Sequence, residues 1–386
     1  MLTRTTSSQM SNSLVNYMAS TQGKFNRLST QLSTQKKINS ITDDAVAAKS
    51  ILSAKREINL YNGYIKNMQS AQYELNAAND IIKSSETKLS RAKDIALMAA
   101  NGSYSQTEID AFKQEVDGII ETMKSLANTE YGDTYLFSGT ASLQKPYTTE
   151  TTKGSSITKN DDGTYHVVPK GATLPEQEYN IKAVDDGTGK FVWKKDDGNG
   201  NYTEDVPADD LVTSTTNINY NGTNEPRKIL IGEGGIEEEL SIIGSDIYGK
   251  GTVTTTFNIN QETGEPQSTV AIDANSEGGL LSSLYELSAA LEANDYDGIM
   301  HAMNGLDEGV VNLAANKAKI GLAGNRFDTL VSAYDNNVTN LTALKSSLED
   351  ADISSLVTEW MQSQYALQAS YSISSQLMNI SIMNYI

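Results

Sequence analysis

Apolar residues recur every seven positions through the last third of the chain. The repeat consists of Ile320, Phe327, Tyr334, Leu341 and Leu348. Val331 and Val338 occupy the interleaved positions that a heptad pattern requires. A heptad that persists over four repeats predicts a long helix with an apolar stripe along one side, and such a stripe needs a partner helix to cover it.

The C-terminal residues continue this pattern after a shift in phase. The apolar members are Ile353, Leu356, Trp360, Leu367 and Leu377. Serines occupy several positions between them. We therefore expect a further helix with a weaker apolar side.

The N-terminal part of the chain carries two stripes of the same kind. The first consists of Met10, Leu14, Tyr17, Thr21, Phe25, Leu28 and Leu32. The second consists of Ile58, Tyr61, Ile65, Met68, Leu75, Ile82 and Leu89. Four-three spacing predicts helices that pack through one side, so we expect the N-terminal and C-terminal arms to pair.

The two outermost segments differ from the rest of the arms. Their positions off the stripe are rich in Ser, Thr, Asn and Gln. The stripes could be only the core of a monomeric bundle. Segments with so little apolar surface typically become ordered on assembly, however, and we therefore interpret their stripes as assembly helices.

Helix boundaries are marked by capping residues. Thr42 precedes Asp43 and Asp44, and carboxylates in a first helical turn are favoured by the helix dipole. The helix is expected to end at Asn101-Gly102, after about 85 Å. The spacing Ser105-x-x-Glu108 is a capping box and predicts another helix.

The centre of the chain has a different composition, because all six prolines lie between positions 146 and 266. Proline disrupts helix interiors. The predicted strands are Tyr165–Val168, Phe191–Trp193, Lys228–Ile231, Leu240–Ile243 and Val253–Phe257. Asp-Gly pairs near positions 162, 186 and 197 are typical of hairpin turns.

These patterns predict an α+β fold in which both ends form a long antiparallel helical coiled coil or bundle and a β-rich domain is inserted at the centre. We expect inner-helix segments at 1–45 and 351–386. The two halves of a rod-like helical bundle are expected at 46–145 and 276–350. The inserted β-rich domain is expected at 146–275.

Charge and composition narrow the function. The net charge is −19, and the acidic excess lies in the middle and C-terminal thirds, which disfavours nucleic acid as a partner. Residues 1–60 are the exception, with 8 basic and 3 acidic side chains. No apolar run is long enough for a membrane span, and residues 1–20 lack the apolar core of a cleavable signal peptide.

The chain offers few groups for catalysis or metal binding. It has no cysteine, and its two histidines, His166 and His301, fall in different predicted domains. The Asp-Gly runs do not match a calcium-binding loop, and 232–235 lacks the lysine of a phosphate loop. We therefore predict a structural protein with no cofactor or metal, and not an enzyme.

Short motifs at both ends resemble the bacterial flagellin superfamily. The N-terminal motif is LSTQKKINS at 32–40, followed by TDDAVAA at 42–48, which contains Asp43 and Asp44. The C-terminal motif is GLAGNRF at 321–327, which contains Asn325 and Arg326. Glutamine at position 35 and alanine at position 45 depart from the usual pattern.

Within that superfamily, the chain looks most like the hook-associated protein 3 family. The segment YLFSGT at 135–140 carries Tyr135, Phe137 and Gly139, and a Pro-Tyr pair follows at 146. The ending ISIMNYI at 380–386 is also similar to that family. The QANQ segment typical of flagellin proper is absent from the C-terminal residues.

This resemblance implies a junction ring outside the cell, between the hook and the filament of a bacterial flagellum. The implied partners are further copies of the chain, hook-associated protein 1, flagellin, and the flagellar type III export apparatus with its chaperone. Two alternatives remain open. The chain could be a flagellin filament subunit or an unrelated coiled-coil secreted assembly protein.

Overall fold

The computed structural model describes residues 7–102, 104–172, 177–240, 242–273 and 279–383. The predicted α+β fold class is confirmed, with helices at both ends of the chain and antiparallel sheets at its centre. Among these residues, no helix has an apolar stretch long enough to cross a membrane.

Long helices make up both arms. The helices are α1 (Ser7–Thr34), α2 (Ala45–Ala100), α3 (Gln106–Ala127), α4 (Gly244–Tyr248), α5 (Leu280–Ala293), α6 (Tyr296–Glu349) and α7 (Ile353–Met383). The predicted end of α2 before Asn101-Gly102 is confirmed, but the helix begins at Ala45 with Asp44 as its cap, so Asp43 and Asp44 precede its first turn. Helix α3 begins at the predicted capping box, with Ser105 as its N-cap. Glu108 there accepts hydrogen bonds from the backbone N–H and the hydroxyl of Ser105, both at 2.8 Å.

Thirteen strands lie in the described part of the centre. They are β1 (Glu130–Tyr131), β2 (Thr134–Tyr135), β3 (Tyr147–Lys153), β4 (Ser156–Lys159), β5 (Tyr165–Val168), β6 (Tyr179–Asp185), β7 (Phe191–Asp196), β8 (Tyr202–Asp205), β9 (Val212–Tyr220), β10 (Arg227–Gly232), β11 (Ile236–Leu240), β12 (Gly251–Ile259) and β13 (Pro266–Ile272). A short 3-10 helix, Ala208–Leu211, precedes β9.

Every strand pairing is antiparallel. One sheet has the order β13-β12-β9-β3 and another has the order β4-β5-β6-β7-β8, while β1-β2 and β10-β11 form separate hairpins. Four of the five predicted strands fall within observed ones. The prediction of a strand at Leu240–Ile243 is wrong, because the charged segment Ile236–Leu240 pairs with β10 instead.

The Asp-Gly pairs form turns between strands, as predicted. Asp162 accepts hydrogen bonds from the backbone N–H and the hydroxyl of Thr164. Asp186 makes the equivalent contacts with Thr188. The adjacent glycines Gly163 and Gly187 have φ values of +84° and +86°, a region that glycine adopts without steric cost.

The chain divides into two compact units. Unit 1 comprises 1–66 and 330–386, and unit 2 comprises 67–329. The division falls within α2 and α6, and the five segments suggested by the sequence stay a prediction.

In unit 2, the apolar stripes of α2 and α6 form a helical core. The buried side chains are Met68, Leu75, Ile82, Leu89, Leu306, Leu313, Ile320 and Phe327. Ion pairs flank this core, because Lys317 binds Glu86 at 2.8 Å and Lys93 binds Asp307. The heptad in α6 is therefore a packing stripe, as predicted. In unit 1 it continues through Tyr334, whose ring lies 5.0 Å from that of Tyr61.

Each larger sheet in unit 2 has its own apolar contacts. Helix α5 packs on the four-stranded sheet. The five-stranded sheet buries Tyr165, Val167, Ile181 and Trp193. Phe257 of β12 stacks on Trp193 at 5.2 Å, so aromatic packing joins the two sheets.

A buried carboxylate lies beneath α6 in unit 2. The side chain of Glu286 is 1% exposed, and its Oε1 lies 2.7 Å from Nδ1 of His301. Its Oε2 has no hydrogen-bond partner among the described residues. Burial raises the pKa of Glu286 to about 7, and the neighbouring Asp295 adds to this increase while His301 opposes it.

Glu286 is expected to make unit 2 less stable as the pH rises. Its pKa in the folded state lies above that of an unfolded chain, so its stabilising contribution is complete below about pH 4.5 and is lost as the pH approaches 7. Glu286→Gln should remove about 2 kcal/mol of the change in unfolding free energy between pH 5 and pH 8.

Urea unfolding of this variant can be followed through the fluorescence of Trp193 in a Trp360→Phe background. The matched control is Glu292→Gln, which changes an exposed carboxylate on the same helix. An identical pH dependence in the Glu286 and Glu292 variants would contradict this expectation.

Candidate assembly surface

In unit 1, α1 and α7 pack against each other in antiparallel orientation. The ring of Trp360 lies 5.6 Å from that of Phe25, and its Nε1–H donates a hydrogen bond to Oγ of Ser29 at 2.8 Å. Farther along α7, the hydroxyl of Tyr371 donates to Oε1 of Gln22 at 3.1 Å. Residue numbers thus increase along α7 as they decrease along α1.

Most of the side chains predicted for this pairing face the partner helix. Leu28, Leu356 and Leu367 are buried. Leu14, Phe25, Leu32 and Trp360 are half-buried. The α1–α7 contact is therefore a real but incompletely covered apolar seam.

Two predicted members lie outside this seam. Tyr17 is 57% exposed, because the four-three spacing continues through Met18, which is half-buried. Ile353 is 41% exposed, because it is the first residue of α7. The side chains of Met10 and Leu377 lie outside the described residues.

Serines occupy buried positions of the seam. Ser363 and Ser370 are 4% and 2% exposed. The hydroxyl of Ser370 donates to the carbonyl of Ala366 within α7, whereas that of Ser363 has no partner among the described residues. A buried hydroxyl without a partner reduces the stability of the pair, so this seam is weaker than one built from leucines.

Both arms of unit 1 are interrupted at the same level, which we call the joint (35–44 and 350–352). Lys36 and Asp350 form an antiparallel β-bridge. The N–H of Lys37 donates to the carbonyl of Glu349 at 2.8 Å, and the N–H of Ala351 donates to that of Gln35 at 3.0 Å. The two interruptions therefore hold each other through backbone hydrogen bonds.

Glu349 is the central charged group of the joint. Its side chain is 5% exposed, and its Oε1 binds the ammonium groups of Lys36 at 2.7 Å and Lys55 at 2.9 Å. Burial alone would raise the pKa of Glu349, yet the hydrogen bonds from the two lysines outweigh it and hold the pKa below its ordinary value. One carboxylate thus ties the joint to the first turns of α2.

Asp43 and Asp44 shape the joint and the beginning of α2. Oδ2 of Asp43 accepts the backbone N–H groups of Asn39 and Ser40 at 3.0 and 2.9 Å. Oδ1 of Asp44 accepts those of Val46 and Ala47, both at 3.0 Å, and caps the helix. The paired aspartates are therefore structural, since one closes the loop and the other starts the helix.

In unit 2, Arg326 fixes the β10–β11 hairpin to α6. Its guanidinium donates to Oε1 of Glu238 at 2.8 Å. The side chain of Asn325 is exposed, and its carbonyl accepts a hydrogen bond from the hydroxyl of Thr329. Of these two motif positions, Arg326 therefore has a clear structural contact.

The segment 135–140 lies at the base of the β region in unit 2. The ring of Phe137 is fully buried and meets that of Tyr248 edge to face at 5.4 Å. Tyr147 is also buried against Tyr248, whose hydroxyl lies 3.0 Å from Oγ of Ser85 on α2. Aromatic packing thus joins this segment to the helical core. Tyr135 is half-buried and belongs to the β1–β2 hairpin.

Gly139 occupies a site that no larger residue fits. Its φ is +62°, and a Cβ atom there would lie 2.3 Å from the carbonyl oxygen of Thr223. The backbone N–H of the neighbouring Thr140 donates a hydrogen bond to Oγ1 of Thr223 at 2.8 Å. Glycine is therefore required at position 139, because it allows the loop at 138–140 to approach the loop around Thr223 closely.

Sequence reasoning missed two residues that organise these features. Glu349 is next to the heptad position Leu348 and shows no motif of its own, and its role depends on lysines about 300 positions away in the sequence. Tyr248 was not singled out in the sequence either. Its burial at the meeting point of three segments becomes evident only in the folded chain.

The described residues offer no arrangement for metal chemistry, since none of their His, Asp and Glu side chains form a group of three or more that could hold an ion. His166 lies 3.4 Å from Glu178, whereas His301 contacts Glu286. The features described above are the paired helices α1 and α7, the joint, and the aromatic base of the β region. These features are those of a structural protein built on helix packing.

Comparison with known proteins gives the family. A model of the bacterial flagellin N-terminal helical region matches residues 6–142, and one of the bacterial flagellin C-terminal helical region matches 303–386. The two matches together cover more than half of the chain, and the protein belongs to the bacterial flagellin family. It is thus a structural component of the flagellum.

Relatives support this assignment at low identity. The chain is 27% identical to flagellin D of Vibrio cholerae serotype O1 and 24% identical to flagellin B of Vibrio anguillarum, in each case over 90% of this chain and 89% of the relative. A solved structure of a putative flagellar hook-associated protein from Vibrio parahaemolyticus has a TM-score of 0.52 at 16% identity, covering 80% of this chain and 100% of that one. This similarity shows the shared fold.

Glu349→Gln should destabilise unit 1 by about 1–2 kcal/mol. The neutral amide of glutamine cannot balance the charges of Lys36 and Lys55. Because both lysine side chains are partly exposed, the loss of stability is smaller than for a fully buried ion pair. Urea unfolding through Trp360 fluorescence in a Trp193→Phe background measures the effect in unit 1. The difference in unfolding free energy between the wild-type protein and the variant should decrease at acid pH. The reason is that the pKa of Glu349 is lowered in the folded state, so protonation of its carboxylate removes the stabilising charge. Glu359→Gln, at an exposed position of α7, is the control, and equal effects of the two variants would refute the assigned role.

Ser363→Ala should stabilise the α1–α7 pair by about 0.5–1 kcal/mol, because it removes a buried hydroxyl that has no partner among the described residues. Ser370→Ala gains the same helix propensity but loses a hydrogen bond, so its effect should be smaller. Trp360 fluorescence in the Trp193→Phe background reports both. A larger gain from Ser370→Ala would show that the hydroxyl of Ser363 is satisfied in solution.

Proposed function

We propose that this flagellar protein forms the junction ring between the hook and the flagellin filament. The observation that carries the proposal is the segment 135–140. It resembles the corresponding segment of the hook-associated protein 3 family, and Phe137 and Gly139 within it are required by the packing at the base of the β region. The fold shared with a putative hook-associated protein is consistent with this role.

The incompletely covered α1–α7 pair supplies surface for assembly. Apolar side chains on it remain exposed: Val15, Met361, Tyr365, Tyr371 and Ile373. The buried serines keep the isolated pair weak, so contacts with neighbouring copies would add the stability that the pair lacks. Ordering of these helices is thus coupled to their incorporation into the ring.

The proposed partners follow from this position. They are further copies of the chain, hook-associated protein 1 on the hook side, flagellin on the filament side, and the type III export apparatus with its chaperone. The protein would lie outside the cell, at the hook–filament boundary. Its contribution is shape and packing, and we propose no catalytic role.

A flagellin filament subunit is the second candidate, because the sequence relatives described above are flagellins. Immunolabelling of intact flagella separates the two. A single band at the hook–filament boundary is the result expected for a junction protein, and label along the whole filament would overturn the proposal.

Removal of residues 353–386 should leave unit 2 folded and abolish the joining of hook to filament. Trp193 fluorescence and far-UV circular dichroism of the purified variant test whether unit 2 still folds. Electron microscopy of cells producing only the truncated protein should show hooks without filaments. Filament growth on such cells would refute the mechanism, whereas loss of the folded signal from Trp193 would show that the arm is needed for folding itself.

A further inference from the structure

A small apolar groove lies on the surface of unit 1, next to the joint. It has a volume of about 300 Å³ and is lined by Ile41, Ala45, Lys49, Leu52, Ser53 and Arg56. Ile41 and Leu52 are 64% and 57% exposed. We call this feature the α2 groove. Large aliphatic side chains left exposed in a concave site are typical of a contact surface.

The rim of the α2 groove is cationic. Neither Lys49 nor Arg56 forms an ion pair with a described residue. They lie seven positions apart on α2, which is two helical turns or about 10 Å, and therefore project from the same side of the helix. Residues 1–60 also have a net positive charge. The groove is thus suited to an apolar knob that carries negative charge.

Unit 2 contains a protrusion with that character. The β10–β11 hairpin turns at Gly234 and Gly235, whose φ values are +80° and +82°. Next to this turn, Leu230 is 40% exposed and Ile236 is 56% exposed. We call the segment 230–237 the hairpin tip. Aliphatic side chains left this exposed at the end of a short hairpin are candidates for a contact with another molecule.

The carboxylates of the hairpin fall into two groups. Glu238 binds Arg326 and ties the hairpin to α6, whereas Glu239 pairs with Lys228 across the hairpin itself. Glu233 and Glu237 are exposed and form no ion pair with a described residue. Glu237 lies directly opposite Leu230 in the strand register. The hairpin tip therefore presents apolar side chains together with free negative charge.

We propose that the hairpin tip of one copy docks into the α2 groove of a neighbouring copy, with Ile236 or Leu230 in the groove and Glu233 and Glu237 near Lys49 and Arg56. The match is one of apolar character and of charge, because exposed aliphatic side chains on both surfaces are accompanied by charges of opposite sign. The inference rests on the proposed ring, which brings copies side by side. A contact this small is one element of a larger interface.

Cysteine cross-linking tests this contact directly, because the chain contains no cysteine of its own. Cells producing a mixture of Ser53→Cys and Ile236→Cys variants, one of them enlarged by a tag, provide flagella for mild oxidation. The expected product is a disulfide dimer that contains one chain of each kind. The control mixture pairs Ser53→Cys with Leu143→Cys, a position in unit 2 that is 81% exposed. It should give on the order of tenfold less mixed dimer, since disulfides require Cβ atoms about 4 Å apart.

Charge exchange provides the second test. The double variant Lys49→Glu/Arg56→Glu should reduce incorporation into flagella on the order of tenfold, and so should Glu233→Lys/Glu237→Lys. Combining all four changes in one chain should restore incorporation into flagella, because the charges of the groove and of the hairpin tip are again of opposite sign. Far-UV circular dichroism of each variant separates loss of docking from loss of folding.

The outcomes separate this contact from the proposed function. Flagella with a normal band of label at the hook–filament boundary but no mixed dimer above control would overturn the docking and leave the junction role intact. Label along the whole filament together with mixed dimer would overturn the junction role and retain the docking. A Ser53→Cys chain linked only to a different protein would show that the α2 groove serves another partner, and would also overturn the docking.

Discussion

The structure depends on packing between helices that are far apart in the sequence. A helix of 56 residues such as α2 is not held by helix propensity, because its intrinsic stability in water is marginal and most of it comes from a covered face. In unit 2, α6 covers it through Ile320 and Phe327, and in unit 1 Tyr61 meets Tyr334. The joint and the α1–α7 pair continue these two arms beyond the ends of α2 and α6.

The two units use this pairing in different ways. In unit 2 the stripe is continuous and fully covered, and the β region is fixed to it through the aromatic base around Tyr248. In unit 1 the seam contains serines, and aliphatic and aromatic side chains stay exposed. The first arrangement is a closely packed core, whereas the second leaves apolar surface exposed to solvent. Both occur in this one chain.

Periodicity predicted the arms well because each apolar position there repeats at an interval that only a helix satisfies. The limits of α2 followed from the aspartates at its start and the Asn-Gly pair at its end. The seam of α1 was misassigned at Tyr17 because Tyr17 and Met18 both satisfy a four-three pattern, and only burial distinguishes them. The strand at Ile236–Leu240 was missed because three consecutive glutamates hide its pairing with β10. The ties of Glu349 to Lys36 and Lys55 could not be read from the sequence, since nothing local relates them.

The pairing of α1 with α7 also has a consequence for the order of folding. More than three hundred residues separate the two helices, so α1 has no native partner until α7 has been synthesised. Contacts of such long range form late and slowly. Unit 2, whose residues lie between them, has a buried core of its own. The two ends can therefore close only after the whole chain has been synthesised, and any factor that holds α7 leaves α1 without its partner.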